Sequence, residues 1–282
     1  MYIANQFGDY AVLDTGGGEK LENVGGIILQ RPDPQAIWER TSPQMWHPHA
    51  IYERSASGGG NWRFIKEVPE SWVLSFGRLK FIVRPTGFKH IGVFPEQSVN
   101  WDFIHRQVRS AARPVSLLNL FAYTGGATLA ALGAGASVVH VDAAKSINDW
   151  ARENAQLSGL AKAPVRFIAD DCRKFVQREQ RRGNVYDAIV MDPPSYGRSG
   201  NSVWKIEDDL FALIRDCTRL LSGDPLFFIV NSYTTGLSDV VTRNMLALCL
   251  GGKGQTESGT LVLRQKNSPV LLPCGTTARW QP

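Results

Sequence analysis

The chain has 282 residues, 43% hydrophobic and 20% charged, with a formal net charge of +5. That length provides for one large domain and a smaller one, and a net positive charge permits a polyanionic partner without requiring one. No apolar stretch approaches the roughly 18 residues of a membrane span, and Met1-Tyr-Ile-Ala-Asn-Gln-Phe-Gly-Asp9 lacks the basic-then-apolar order of a secretory signal, so a cytoplasmic protein is expected. Cys172, Cys217, Cys249 and Cys274 are widely spaced with no C-x-x-C pair, which points to reduced, structural cysteines and to neither a zinc site nor a disulfide framework.

From the amino-terminus, Tyr10–Asp14 and Gly26–Gln30 read as short strands on either side of the turn-rich Thr15-Gly-Gly-Gly18. Pro32, Pro34, Pro43 and Pro48 break any long element, and Ser55-Ala-Ser-Gly-Gly-Gly60 reads as a flexible linker. From Trp62 to Phe94 the alternating segments Ser71–Phe76, Leu79–Arg84 and Lys89–Phe94 predict β-hairpins. There Arg63, Lys66, Arg78, Lys80, Arg84 and Lys89 interleave with Trp62, Phe64, Trp72, Phe76, Phe81 and Phe88. Cations for phosphates and rings for unpaired bases suit nucleic acid, while the plainer reading is a half-buried antiparallel sheet with a charged outer face.

A helix is expected over Ser98–Arg113, followed by the stretch on which the rest depends, Val115-Ser-Leu-Leu-Asn-Leu-Phe-Ala-Tyr-Thr-Gly-Gly126. This run reads as a parallel strand buried on both faces, a glycine turn and the start of a helix. Gly125 and Gly126 let backbone approach a ligand, and the helix amino-terminus offers N–H groups to it. A second run, Ser137–Asp142, ends in a carboxylate 16 residues beyond Gly126, the place where doubly wound sheets bind a ribose diol. The turn lacks G-x-G-x-x-G, so a dinucleotide is disfavoured and S-adenosylmethionine, a nucleoside without phosphate, fits better.

The βα rhythm then continues through helix Lys145–Leu157, strand Pro164–Ala169, helix Cys172–Arg182, strand Val185–Met191, a long loop, helix Lys205–Leu221, strand Leu226–Asn231 and helix Leu237–Leu250. Thr260–Arg264 and Pro269–Leu272 are expected to close the sheet as a strand pair. Such alternation means a mostly parallel sheet with helices on both faces, whose ligands bind beyond the carboxyl ends of the strands. At the third end, Ala169-Asp-Asp-Cys172 places Asp171 for an adenine amino group and the Cys172 N–H for a ring nitrogen, with helix capping as the competing role for Asp170 and Asp171. At the fourth, Asp192-Pro-Pro-Ser-Tyr196 holds the backbone extended without N–H donors. Carbonyls then serve a base edge, Tyr196 stacks, and Asp192 accepts a hydrogen bond or a proton. Methyl transfer needs mainly in-line positioning, whereas a pyrimidine C5 acceptor requires a cysteine thiolate as well.

These residues resemble class I S-adenosylmethionine-dependent methyltransferases, and among them the bacterial 23S ribosomal RNA large-subunit methyltransferases that act on cytosine C5 or guanine N7. The matching stretches are Leu118–Gly126, Val141–Ser146, Trp150–Asn154, Ala169–Asp171 and Asp192–Tyr196, with residues 77–97, ending Gly92-Val-Phe-Pro-Glu-Gln97, resembling the β-hairpin segment that precedes the family's catalytic domain. The resemblance implies that Tyr123, Thr124 and Gly125 hold the methionine moiety, Asp142 the ribose and Asp171 the adenine. Asn119, Phe121, Ala143, Asp170, Cys172, Asp192 and Gln97 complete the cofactor set, while Ser146 and Asn154 support the second strand's turn. Asp192, Pro193, Pro194 and Tyr196 form the expected catalytic set, with Tyr196, Arg198, Asn231, Tyr233 and the Gly197–Trp204 loop, a lid, on the acceptor.

Two departures qualify it. Val230-Asn-Ser-Tyr-Thr234 has no cysteine where the C5 enzymes carry their nucleophile, and residues 1–60 do not resemble the family's small RNA-binding domain. The sequence therefore predicts an α/β, Rossmann-like class I methyltransferase sheet with a smaller β-rich amino-terminal extension. The expected segments are residues 1–60, a hairpin segment 61–105 and a methyltransferase domain 106–282. The expected reaction is methyl transfer from S-adenosylmethionine, leaving S-adenosylhomocysteine, to a nitrogen of structured, ribosomal RNA. No metal, membrane or obligate protein partner is indicated. The alternatives are a methyltransferase for a small molecule or protein, and a non-catalytic nucleoside- or RNA-binding module.

Overall fold

Short local hydrogen-bonding decisions set the amino-terminal architecture. The computed structural model describes residues 1–4, 8–55, 59–199 and 202–282. It divides into one unit of Tyr2–Val99 with Val262–Cys274, and another of Met1, Asn100–Leu261 and Gly275–Pro282. The returning segment Val262–Cys274, assigned from sequence to the methyltransferase domain, is thus counted with the amino-terminal unit.

The amino-terminal unit contains β1 (Tyr2–Ala4), β2 (Tyr10–Gly16), β3 (Glu19–Val24), β4 (Ile27–Pro32), β5 (Ala50–Arg54), β6 (Gly60–Phe64), β7 (Trp72–Phe76) and β8 (Leu79–Val83). Strands β2 to β6 form a five-stranded sheet in chain order, antiparallel except where β4 meets β5. Gly17 and Gly18 lie at positive φ, 63° and 78°, the backbone that a two-residue hairpin turn requires. Strand β3 is not legible in the sequence because its interior position is charged. Glu22 is fully buried, paired with Arg31 and accepting the Tyr10 hydroxyl at 2.8 Å.

Strands β7 and β8 pair as expected, but Lys89–Phe94 is no strand; it leads into a single helical turn at Pro95–Gln97. Within the expected flexible linker, residues 56–58 lie outside the described residues, and Gly60 opens β6. Of the six interleaved rings, Phe81 is buried and Trp62 and Trp72 donate their indole N–H groups to the carbonyls of Thr86 and Val24. Only Phe64 and Phe88 stand mostly exposed, so the plain sheet reading holds for most of that pattern.

In the other unit, α1 (Ser98–Ser110) precedes β9 (Ser116–Leu120), α2 (Gly126–Gly133), β10 (Ser137–Asp142), α3 (Lys145–Leu157), β11 (Val165–Ala169), α4 (Cys172–Arg182) and β12 (Ala188–Met191). Then come β13 (Tyr196–Ser199), β14 (Ser202–Lys205), α5 (Ile206–Thr218), β15 (Phe227–Ser232), α6 (Asp239–Leu250), β16 (Gln255–Arg264) and β17 (Leu271–Gln281), of which the end of β16 and the start of β17 fall in the segment counted with the amino-terminal unit. The sheet order is β16-β17-β15-β12-β9-β10-β11, parallel from β15 to β11, with β17 antiparallel to β15. Strand order reverses around β9, which opens a crevice at the carboxyl ends of β9, β10 and β12.

The closing strands are longer than expected; Pro273 and Gly275 interrupt the apolar pattern of β17 that would have announced it. The long loop after β12 is instead an antiparallel hairpin, β13–β14, with Tyr196 opposite Lys205. Residues 200–201 of the expected lid lie outside the described residues.

Buried Leu117, Leu118 and Leu120 bear out the two-faced burial of β9. Asp187, just before β12, pins the two central strands together. Its carboxylate accepts the Ser116 N–H at 2.8 Å, the Ser116 and Ser222 hydroxyls at 3.0 and 2.8 Å, and pairs with Arg113 at 3.0 Å. Burial raises the carboxyl, but these bonds outweigh it and hold it below its ordinary value. A depressed carboxyl stabilises the fold above the unfolded value, about 4, and loses that contribution as pH falls through the folded value. Asp187→Asn is expected to cost about 1–3 kcal/mol at pH 7. Urea melts should show that deficit shrinking on acidification below about pH 4; a pH-independent deficit would refute the assignment.

Candidate active site

The chain leaves β9 through a turn that side chains and neighbouring strands must hold in place. Phe121 and Tyr123 lie at φ 54° and 49°, a left-handed backbone costing non-glycine residues about 1–2 kcal/mol each. Three bonds support it. The Phe121 N–H donates to Cys172 Sγ at 3.3 Å, the Tyr123 N–H to Asp142 Oδ2 at 3.0 Å, and Asn154 Nδ2 to the Thr124 carbonyl at 2.9 Å. Asn154 therefore supports the first strand's turn rather than the second's, where Asn148 is the one that holds the Asp142 carbonyl, at 3.0 Å. Gly125, at φ 93°, caps α2, and an added Cβ would press on Leu129 and Ala151. Gly126 faces the Trp101 indole instead, so its missing side chain serves packing.

Asp142 ends β10, half-buried. Its Oδ1 accepts the Ala144 N–H at 3.0 Å, so each carboxylate oxygen has one backbone donor and retains lone pairs for a ligand. Burial raises its carboxyl despite these two bonds. Exposed Ala143 follows it in the turn. Asp171 caps α4 by accepting the Lys174 N–H at 3.1 Å, the capping role anticipated for it. Asp170 is drawn aside into an ion pair with Arg178 and accepts the Asp171 N–H at 2.8 Å. The Cys172 sulfur is buried under Phe121 with its thiol pushed up by burial, while its N–H lies at the first position of α4.

Three of the expected ligand residues are buried. Asn119 is buried and donates to Thr128 Oγ1 at 2.9 Å; that hydroxyl lies 2.9 Å from His140 Nδ1. Burial lowers the His140 pKa to about 3, so the imidazole is a neutral prop beneath the turn. Asn231 is 2% exposed and its Oδ1 accepts Asn100 Nδ2 at 3.0 Å, while Asn100 Oδ1 takes Arg279 Nε and Nη2 at 2.9 and 2.7 Å. Because the guanidinium only donates, it orients both amides of this buried chain. Gln97 belongs to the amino-terminal unit, buried in the turn Pro95–Gln97.

Asp192 follows Met191, which lies beside Leu120 on one side and Val230 on the other, so it occupies the carboxyl edge between β9 and β15. Beyond buried Pro193, the Pro194 carbonyl accepts the Trp204 indole N–H at 2.6 Å, and Ser195 Oγ lies 2.7 Å from Thr234 Oγ1. Tyr196 is 52% exposed, its hydroxyl accepting Arg198 Nε at 2.6 Å. Tyr233 is half-buried against Gly275, where a Cβ would meet its ring at 2.9 Å. Trp204 enters the sequence reading only as the end of the expected lid, and Arg173, Asn100 and His140 are not singled out there, since none closes a strand or sits in a turn motif.

The sequence model of the S-adenosylmethionine-dependent methyltransferases matches residues 52–245. The chain belongs to that family. It is 36% identical over 153 residues to the ribosomal RNA large subunit methyltransferase K/L of Pseudoalteromonas atlantica, a match covering 52% of this chain and 21% of that protein. The chain thus spans about a fifth of that relative's length. The solved structure of a SAM-dependent methyltransferase from Agrobacterium tumefaciens superposes with a TM-score of 0.96 at 39% identity, covering 99% of this chain and 92% of the other. A methyltransferase structure from Streptococcus mutans shares the fold at a TM-score of 0.73 and 18% identity, covering 98% and 76%.

The donor set of this methyltransferase suits its cofactor. Asp142 offers two carboxylate oxygens for a diol, and residues 118–126 contain no lysine or arginine that would call for a phosphate. Among the described residues no cluster of His, Cys, Asp or Glu could hold a metal ion, and no helix is long and apolar enough to cross a membrane.

Proposed function

We propose that this methyltransferase modifies a nitrogen of a base in structured RNA, with ribosomal RNA as the substrate class. The observation that carries the reading is the Asp192–Tyr196 turn: a carboxylate at the strand edge, two prolines without N–H donors, and an exposed tyrosine ring flanked by Arg198. A base can stack on Tyr196 while its edge meets the carbonyls of Asp192 and Pro193 and the carboxylate draws off the acceptor's proton. S-adenosylmethionine supplies an electrophilic methyl group when bound. Tyr123, Thr124 and Gly125 hold its methionine end, Asp142 the ribose and Asp171 the adenine.

A C5 acceptor is disfavoured because Cys172 and Cys217 are both buried with their thiols raised, and neither lies in the Asp192–Tyr196 turn. The ribosomal substrate is supported by the similarity to the ribosomal RNA large subunit methyltransferase of Pseudoalteromonas. Within the amino-terminal unit, exposed Phe64 and Phe88 accompany exposed Arg54, Arg63 and Lys66, rings and cations suited to stacking bases and to phosphates. A cytoplasmic location follows from that substrate.

The test is transfer of labelled methyl from S-adenosylmethionine to total RNA, with protein and small-metabolite pools in parallel. Label in RNA is expected, with digestion yielding an N-methylated nucleoside, and substrate binding should weaken steeply with salt. Label confined to another pool would overturn the RNA assignment; a C5-methylated pyrimidine would overturn the nitrogen assignment.

A further inference from the structure

Arg173, the second residue of α4, joins three elements through one guanidinium. Nη1 pairs with Asp209 of α5 at 2.6 Å, Nη2 donates to the Val203 carbonyl of β14 at 2.9 Å, and Nε stands 4.0 Å from Asp171 Oδ1. The other oxygen of Asp209 accepts the Lys205 N–H at 2.9 Å, which fixes the base of the hairpin. The guanidinium also lies 5.8 Å from the centre of the Trp204 ring. That ring lies 5.1 Å from Phe121, and its N–H holds the Pro194 carbonyl. Phe121 completes a circuit, since its N–H donates to Cys172, the residue between Asp171 and Arg173. The residues assigned to the adenine end of the cofactor are therefore linked, by one cation and one buried ring, to the Pro194 turn and the Tyr196–Arg198 face. A planar fork of donors serves several acceptors at once, which a lysine ammonium on a flexible stem does not reproduce.

We propose that Arg173 is a positioning residue through which cofactor occupancy orders the β13–β14 hairpin for the acceptor. A nucleoside held against Asp171 and Phe121 fixes the first turn of α4 and the Trp204 ring, and the two hydrogen bonds of Arg173 pass that restraint to Val203 and Lys205. The proposal rests on the reading of this hairpin as the acceptor side of the site.

Amide hydrogen exchange of β13 and β14, measured on the full chain with and without saturating S-adenosylhomocysteine, tests it without any RNA, and calorimetry gives the affinity in parallel. In the wild type the product is expected to slow hairpin exchange by about fivefold or more, local opening being the step that the restraint suppresses. In Arg173→Ala that slowing is lost while affinity for S-adenosylhomocysteine falls by no more than about fivefold. Arg173→Lys, which keeps the charge beside Asp171, carries the same test if the alanine variant folds poorly, and is expected to bind the product without protecting the hairpin. Undiminished protection in either folded variant, or none in the wild type, overturns the proposal. A failure here leaves the RNA assignment intact, and unlabelled RNA in the transfer assay leaves this result intact.

Discussion

Asp192→Ala is expected to lower methyl transfer by roughly 10²–10³-fold at saturating cofactor, the usual scale for removing one group that acts on developing charge in the transition state. Its position gives the reason. The residue stands at the carboxyl edge between β9 and β15, one step beyond the register of Leu120, Met191 and Val230, with a proline pair behind it that supplies no competing N–H donor. As the acceptor nitrogen gains a methyl group it also gains positive charge and, where it carries a hydrogen, sheds a proton, so a carboxylate there stabilises the charge and accepts any proton released. Asp192→Asn keeps an acceptor oxygen without the charge and should fall between wild type and alanine. Affinity for S-adenosylhomocysteine should stay within about fivefold, because the ribose and adenine contacts assigned to Asp142 and Asp171 remain. Single-turnover rates beside calorimetry separate the two quantities; wild-type turnover in Asp192→Ala would sink the assigned role.

The second large effect is expected on the cofactor. Asp142→Ala removes two charge-assisted hydrogen bonds to the ribose diol, at roughly 1.5 kcal/mol or more each, so affinity for S-adenosylhomocysteine should drop by about 100-fold. The same change strips the acceptor from the Tyr123 N–H and the Ala144 N–H, which loosens a turn already held in left-handed backbone. Burial raises the Asp142 carboxyl above its ordinary value. The ionised form binds the diol, so wild-type affinity should be full above that raised value and fall as pH drops through it, earlier than for an exposed aspartate. Calorimetry from about pH 4, close to the ordinary aspartate value, up to about pH 8 reads both effects. An alanine variant that binds like wild type, or a wild-type affinity insensitive to acid, would remove Asp142 from the ribose.

The parts of the site legible in the sequence are those announced by local chemistry. Asp142 closes an apolar run, Gly125 follows a buried strand, and Asp192-Pro-Pro-Ser-Tyr196 interrupts a βα rhythm at a place where the backbone must stay extended. Asn119 and Asn231, expected on ligands, have partners inside the fold that the sequence does not announce. A polar residue near a strand end looks the same whether it faces a ligand or another buried polar group, and here Thr128 and Asn100 take them. The contacts of Trp204 and Arg173 were not legible because the stretch holding Trp204 is rich in glycine and serine and reads as loop, and an arginine in the first turn of a helix carries no signal of its own.

By itself the sequence determined the alternation of strands and helices after residue 115, the strand ends to which chemistry is assigned, and the preference for a phosphate-free nucleoside. These rest on periodicity, on chain stiffness at glycine and proline, and on residues adjacent in the chain. Only the tertiary structure decided which polar side chains spend their hydrogen bonds inside the fold, that a charged residue could occupy the interior of β3, and that the stretch after Asp192 is a hairpin tied to α4. Those outcomes depend on partners that lie on other elements, from 9 residues away for Asn119 and Thr128 to 131 for Asn100 and Asn231, because a buried donor or acceptor must be satisfied and the chain meets its partner only once the sheet has assembled.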